Sequence, residues 1–179
     1  TGTGFNETVN SIALDTDGKI IVGGVFISYM GITENRIIRL NTNGSKDNTF
    51  NTESGFNGNV YSVSMEPDGK IIVGGVYISY KGVIENSIIR LNTDGSKDTT
   101  HNVGTGFTFD VKALAIQPDG KILVGGSFTS WNGTAIGGLV RLNSDLSLDT
   151  AFVSNLGTGA TGGWPIAGAT RSCPARGAL

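Results

Sequence analysis

The chain is poor in cysteine and proline, carries no excess of either charge, and has no long apolar run. Each shortage removes a class of protein. A single cysteine, Cys173, among 179 residues can form neither an intrachain disulfide nor a cysteine metal cluster, and it leaves the redox compartment undecided. Thirteen Lys and Arg against fifteen Asp and Glu give a net charge of −2, without the basic patch or stripe of an electrostatic nucleic-acid binder. No apolar stretch approaches the roughly 18 residues of a membrane-spanning helix. The opening TGTGFNETVN has neither the charged start nor the apolar core of a signal peptide. The chain is therefore expected to be cytosolic, already processed, exported by another route, or a fragment. Four prolines stand against 28 glycines, which without a Gly-X-Y period indicates many tight turns rather than collagen. Ala and Leu are sparse, and no 11-residue window holds a 3.6-residue period.

What is present is a repeat. The dipeptide GF recurs at Gly4, Gly55 and Gly106, 51 residues apart. Residues 1–156 thus form a repeat domain of three copies, 4–54, 55–105 and 106–156. Seventeen of 51 positions are identical in all three, and 32 agree between the first two. Each copy reads as strands: in the first, Val9–Leu14, the β-branched run Lys19–Phe26, and Arg36–Asn41, with Ser45–Phe50 as a fourth segment at an edge. About four short antiparallel strands joined by Gly/Asp/Asn turns suit one blade of an all-β, propeller-like fold, with the ring incomplete at three blades. A β-solenoid is the alternative, although its rungs usually need about 20 residues. Residues 157–179 break the pattern and are expected to be an irregular tail, acting as a cap or an assembly arm.

The recurrent elements, in order, are G-F, V, P-D-G-K-I, V-G-G, an aromatic, a loop Gly, R-L-N, D-G-S and D. Together they resemble the delta-60 repeat, a propeller-like β-repeat of bacterial surface and secreted proteins and some phage structural proteins. Thr16 in place of Pro, Leu146 in place of Gly, and His101 where Phe50 and Phe152 stand depart from it. The resemblance implies architecture, and it implies a module of a secreted, cell-surface or virion protein. It says little about chemistry, because fold and function separate easily.

The fixed residues are read one set at a time. Asp17-Gly18, Asp68-Gly69 and Asp119-Gly120 are expected to be corners, with Pro67 and Pro118 presetting a type I turn and the glycine accepting positive φ. A calcium loop needs about six oxygen ligands, yet the companion acid drifts from Asp15 through Glu66 to Gln117. Neither a metal nor a cofactor is expected. Gly23-Gly24, Gly74-Gly75 and Gly125-Gly126 lack the lysine and helix of a phosphate loop and mark a bulge or close backbone approach. Arg39, Arg90 and Arg141 sit inside apolar strands, and Asp47, Asp98 and Asp149 recur with them. A structural Arg–Asp pair in each blade (39–47, 90–98, 141–149) would satisfy those charges. Tyr29, Tyr80 and Trp131 share one position before a loop glycine. They are candidate ligand-binding residues, able to stack on a sugar or anchor a protein, unless they pack between blades.

Nothing singles out catalysis. His101 stands at a Phe position, and no G-x-S-x-G accompanies it. Carboxylate pairs of the glycosidase kind could be drawn from many acids. The expectation is a noncatalytic module that recognises protein or glycan. The alternatives are a structural subunit of a phage tail, fibre or other extracellular assembly and, weakly, a glycan-acting enzyme. Expected partners are copies of itself or further blades, with a protein or glycan ligand, no nucleic acid and no membrane insertion.

Overall fold

The computed structural model describes residues 4–101 and 104–156. The tail expected at 157–179, with Cys173, lies outside the described residues. The first copy supplies β1 (Val9–Leu14), β2 (Ile20–Gly24) and β5 (Ile37–Leu40), hydrogen-bonded in that order into one antiparallel sheet. The second repeats it with β6 (Asn59–Met65), β7 (Ile71–Val76) and β10 (Ile88–Leu91). The third does so with β11 (Val111–Ile116), β12 (Ile122–Gly126) and β15 (Leu139–Leu142). Each blade is thus all-β and built from one copy alone. The three blades follow one another: β6 packs on β1 and β2, and β11 packs on β6 and β7. This is an incomplete propeller.

The middle strand is apolar on both sides where a neighbouring blade covers it, at the joint of blades 1 and 2 and at the joint of blades 2 and 3. Ile21 and Ile37 of blade 1 share a core with Val60, Val63, Val73 and Ile89 of blade 2. Ile72 and Ile88 of blade 2 likewise enter the core of blade 3. Each such side chain, fully buried, contributes about 1.5–3 kcal/mol relative to exposure. This explains the continuous β-branched runs where a half-exposed strand would alternate.

Two features differ from the expected four strands. The edge segment after β5 pairs through a single bridge, Leu40 with Lys46, repeated at Leu91 with Lys97 and Leu142 with Leu148. Pairing stops there because Asp47 turns its carboxylate onto its own chain, accepting from Thr49 N at 3.0 Å and Thr49 Oγ1 at 2.7 Å. A local side-chain turn of this kind competes with a ladder. In the third copy Ala151 replaces that threonine. Asp149 there accepts from Phe152 N at 3.2 Å, and one short helix, α1 (Thr150–Asn155), follows it.

The second difference is an added hairpin in every blade: β3 (Ser28–Tyr29) with β4 (Ile32–Thr33), β8 (Ser79–Tyr80) with β9 (Val83–Ile84), and β13 (Ser130–Trp131) with β14 (Thr134–Ala135). Its two-residue turns have positive φ at both positions, 49° and 81° at Met30-Gly31, the geometry of a type I′ turn. The signal was in the sequence at Asn132-Gly133, where the pair is Asn-Gly.

Candidate functional site

The repeated aromatics are packed, not displayed. Phe5, Phe56 and Phe107 bridge to Tyr29, Tyr80 and Trp131. Each Phe lies between that ring and a second one, Phe26, Tyr77 or Phe128, with centroids 4.4–4.6 Å apart. Such contacts add about 0.5–1.5 kcal/mol beyond the area they bury. Tyr80 and Trp131 are each 2% exposed, and Tyr29 is half-buried. The tyrosine hydroxyls donate to Gly44 O at 2.7 Å and Gly95 O at 2.6 Å. Burial pushes the Tyr80 hydroxyl pKa up, with Glu53 and Asp94 adding to it. The open ligand ring expected at Tyr29, Tyr80 and Trp131 is therefore corrected: tilted contacts with the Phe of each copy, and for the two tyrosines a satisfied hydroxyl, turn these rings inward.

The repeated charges form one network per blade. Arg39 Nε donates to Asp47 Oδ2 at 2.8 Å, and Lys19 Nζ reaches the same oxygen at 2.9 Å. Arg141 and Lys121 meet Asp149 in the same way, each at 2.9 Å. Burial works to raise the Asp47 carboxyl, but its hydrogen bonds to Thr49, Lys19 and Arg39 outweigh that and hold it well below the ordinary carboxylate value. Asp149 falls to about 2, chiefly through Lys121 and the backbone of Phe152. The arginine also crosses to the next blade, where Arg39 Nη1 donates to Thr93 O at 2.6 Å and Arg90 Nη2 donates to Ser144 O.

The middle blade departs from the expected pairing. Arg90 lies 3.9 Å from Asp98, while its Nε is 2.7 Å from Glu66 Oε2 and its Nη2 donates to Glu66 Oε1 at 2.8 Å. Burial raises the Glu66 pKa, against the pull of Arg90. Two positions set this blade apart: the longer acid Glu66 stands where Asp15 and Gln117 do, and the ring beside the guanidinium is replaced. Arg39 and Arg141 lie over the Phe50 and Phe152 rings at 4.9 and 4.5 Å, whereas Arg90 meets His101, with Nη1 and Nδ1 2.9 Å apart. His101 is thereby held in the charge network. Sequence reasoning missed Glu66 because its equivalents are Asp15 and Gln117.

The Asp-Gly corners close as turns with a bulge. Gly18 has φ 76°, its N donates to Asp15 O at 3.0 Å, and Asp15 N donates to Lys19 O at 3.0 Å. Asp15 Oδ1 is occupied by Asp17 N and Lys19 N. The corners at Gly69 and Gly120 repeat the pattern, with φ 84° and 80°. Among the described residues no group of three or more His, Cys, Asp or Glu is placed to hold a metal ion.

Two grooves follow the joints between blades. One, between blades 1 and 2, is lined by Asp15, Asp17, Lys19, Arg39 and Asp94. The other, between blades 2 and 3, is lined by Asn57, Ile78, Ser87, Phe109 and Asp110. Phe109 is 57% exposed there. Ser87 stands at the position from which Arg36 Nη1 reaches across to Phe56 O at 2.7 Å, so its short side chain leaves the slot open.

Copy three also exchanges polar contacts for apolar ones. Glu34 pairs with Lys46 and Glu85 with Lys97, but Ile136 and Leu148 stand at those positions, Ile136 in the core and Leu148 partly buried against it. Where Tyr29 and Tyr80 bond glycine carbonyls, Trp131 and Leu146 share an apolar cluster.

No curated protein matches the chain. Among solved structures, it is similar to a protein of unknown function from Bacteroides caccae, at 18% identity and a TM-score of 0.41 over 77% of this chain and 46% of that one. The chain thus spans under half the length of that protein. Residues 16–50, 66–100 and 117–152, the corner-to-edge portion of each blade, match the family described as domain of unknown function (DUF5122) beta-propeller. With that match covering more than half of its residues, the chain belongs to the DUF5122 β-propeller family.

Proposed function

We propose that the chain is a noncatalytic structural module, a set of propeller blades that acts by packing against neighbouring blades within a larger assembly. The observation that carries this reading is the engagement of the repeated side chains. The arginines, aspartates and aromatics that recur in every copy bond one another or the adjoining blade. His101 is tied to Arg90, and neither of the two grooves described above is lined by it. Placement in a secreted, cell-surface or virion protein rests on the resemblance to delta-60 repeats.

A second reading, recognition of a glycan or protein, is favoured by one observation: the groove at the second joint, where exposed Phe109 stands beside Asn57 and Asp110. An apolar ring next to amide and carboxylate groups can stack on a sugar and bond its hydroxyls. A broad glycan array probed with the wild-type chain and with Phe109→Ala separates the two. The structural reading expects no glycan retained by either. A glycan held by the wild type and lost in Phe109→Ala, at unchanged melting temperature, overturns it.

A further inference from the structure

The two joints inside the chain are built alike. At the first, Val60 and Val63 of β6 lie so close to Gly23 that an added Cβ would come within 2.5 and 2.9 Å of their methyl groups. At the second, Val111 and Leu114 of β11 stand in the same relation to Gly74, at 2.5 and 3.2 Å. Behind each glycine, Ile37 or Ile88 is fully buried. Across each joint an arginine donates to a turn carbonyl, Arg39 to Thr93 O and Arg90 to Ser144 O.

The 51-residue spacing defines what a third such joint would contain, and both halves of it lie open on this chain. On blade 1, Ile12 and Leu14 are 64% and 63% exposed, while Val63, the counterpart of Ile12, is 5% exposed. On blade 3, Leu139 is 43% exposed against 0% for Ile88. Among the described residues, a Cβ on Gly125 would meet nothing closer than Ala113 Cβ at 3.7 Å and Gly138 O at 3.9 Å. The Arg141 side chain is 23% exposed against 9% and 4% for Arg39 and Arg90.

We infer that these faces join head to tail between two copies of this chain, blade 1 of each docking on blade 3 of the other. The result is a six-blade ring with Val9 against Gly125 and Arg141 donating to Thr42 O of the other copy. The inference rests on the structural reading above. Two copies give six blades, within the usual four to eight, whereas three would give nine. A twofold pair satisfies both open faces of both chains at once. One residue points to a separate chain at this joint. At both covalent joints an asparagine clasps the incoming linker, Asn35 Nδ2 to Ser54 O and Asn86 Nδ2 to Thr105 O, each at 2.8 Å. Gly137 stands at that position in blade 3.

Sedimentation or native mass measurement of the full chain over a range of concentrations tests this. The expected result is a species of twice the 18.6 kDa chain mass. Ile12→Glu, on the blade 1 face, and Gly125→Val, on the blade 3 face, should each give monomers that still unfold cooperatively. An equimolar mixture of the two variants should again pair, more weakly than wild type, through the one joint left intact. A wild-type monomer at every concentration overturns the inference. So does a dimer indifferent to both substitutions, or a mixture that fails to pair while the wild type does. A glycan-array hit would instead overturn the structural reading and leave the mass unchanged, so the two failures are distinguishable.

Discussion

Arg90 shows how two replacements, His101 for a phenylalanine and Glu66 for Asp15 or Gln117, reroute a buried charge. With His101 in place of a phenylalanine, the guanidinium leaves the Asp98 carboxylate at 3.9 Å and engages Glu66. An arginine inside an apolar strand announces that it needs a partner, so Asp47, Asp98 and Asp149 could be nominated from the sequence. The choice between two carboxylates could not, because it depends on whether a ring or an imidazole lies beside the guanidinium. The aromatics misled for a related reason: a Tyr before a loop glycine reads the same whether its face is wet or stacked, and only the Phe of the GF pair, bridged to it, decides. The charge network sets a ranking. Asp47→Ala leaves Arg39 without a carboxylate partner in a site where its side chain is 9% exposed, and removal of one member of a buried pair costs about 3–5 kcal/mol. Asp98→Ala leaves Arg90 its Glu66 partner and is expected to cost less. Urea unfolding of the two variants should place the Asp47→Ala midpoint clearly below that of Asp98→Ala.

At the level of elements, the long strands were legible because their cause is local and repeated. A run such as IIVGG, covered on both faces, needs β-branched residues throughout, and β2 falls within the span expected for it. The fourth edge strand was overestimated because the Asp47 carboxylate bonds its own chain there, a competition that strand propensity does not register. The two-residue hairpins were missed because two of the three turns do not use the usual residues. Met30 and Lys81 occupy the left-handed region at φ 49°, which costs an ordinary L-residue about 1–2 kcal/mol. Asn132 suits it. Met30→Asn is therefore expected to stabilise the chain by about 0.5–1 kcal/mol, read as a higher thermal midpoint; Met30 is 49% exposed, so little packing is lost. The apolar pair Ile136 and Leu148 shows the converse freedom: a half-buried ion pair can be exchanged for hydrocarbon when both partners change together.

Across the whole molecule the same glycine recurs three times in two settings, crowded at Gly23 and Gly74 and open at Gly125, which differ in what lies beyond it. Gly74→Ala drives a Cβ into Val111 of the next blade, and overpacking of this kind costs about 1–3 kcal/mol. Gly125→Ala meets only ordinary contacts and should change stability by no more than about 0.5 kcal/mol. Denaturant midpoints of the two substitutions, compared in the monomeric Ile12→Glu background, check this. Equal losses would mean that the glycines answer to their own strand and not to the neighbouring blade. The repeat made blade number and order readable in the sequence; which faces stay open was not, since that depends on neighbours the pattern does not name. Each blade takes all of its main strands from one copy of the repeat, so no sheet straddles a repeat boundary. A gene encoding such a chain can gain or lose a whole 51-residue unit without cutting any ladder, and each event leaves the same two terminal faces. Relatives of different length are therefore reachable one unequal crossover at a time, with every intermediate built from intact blades.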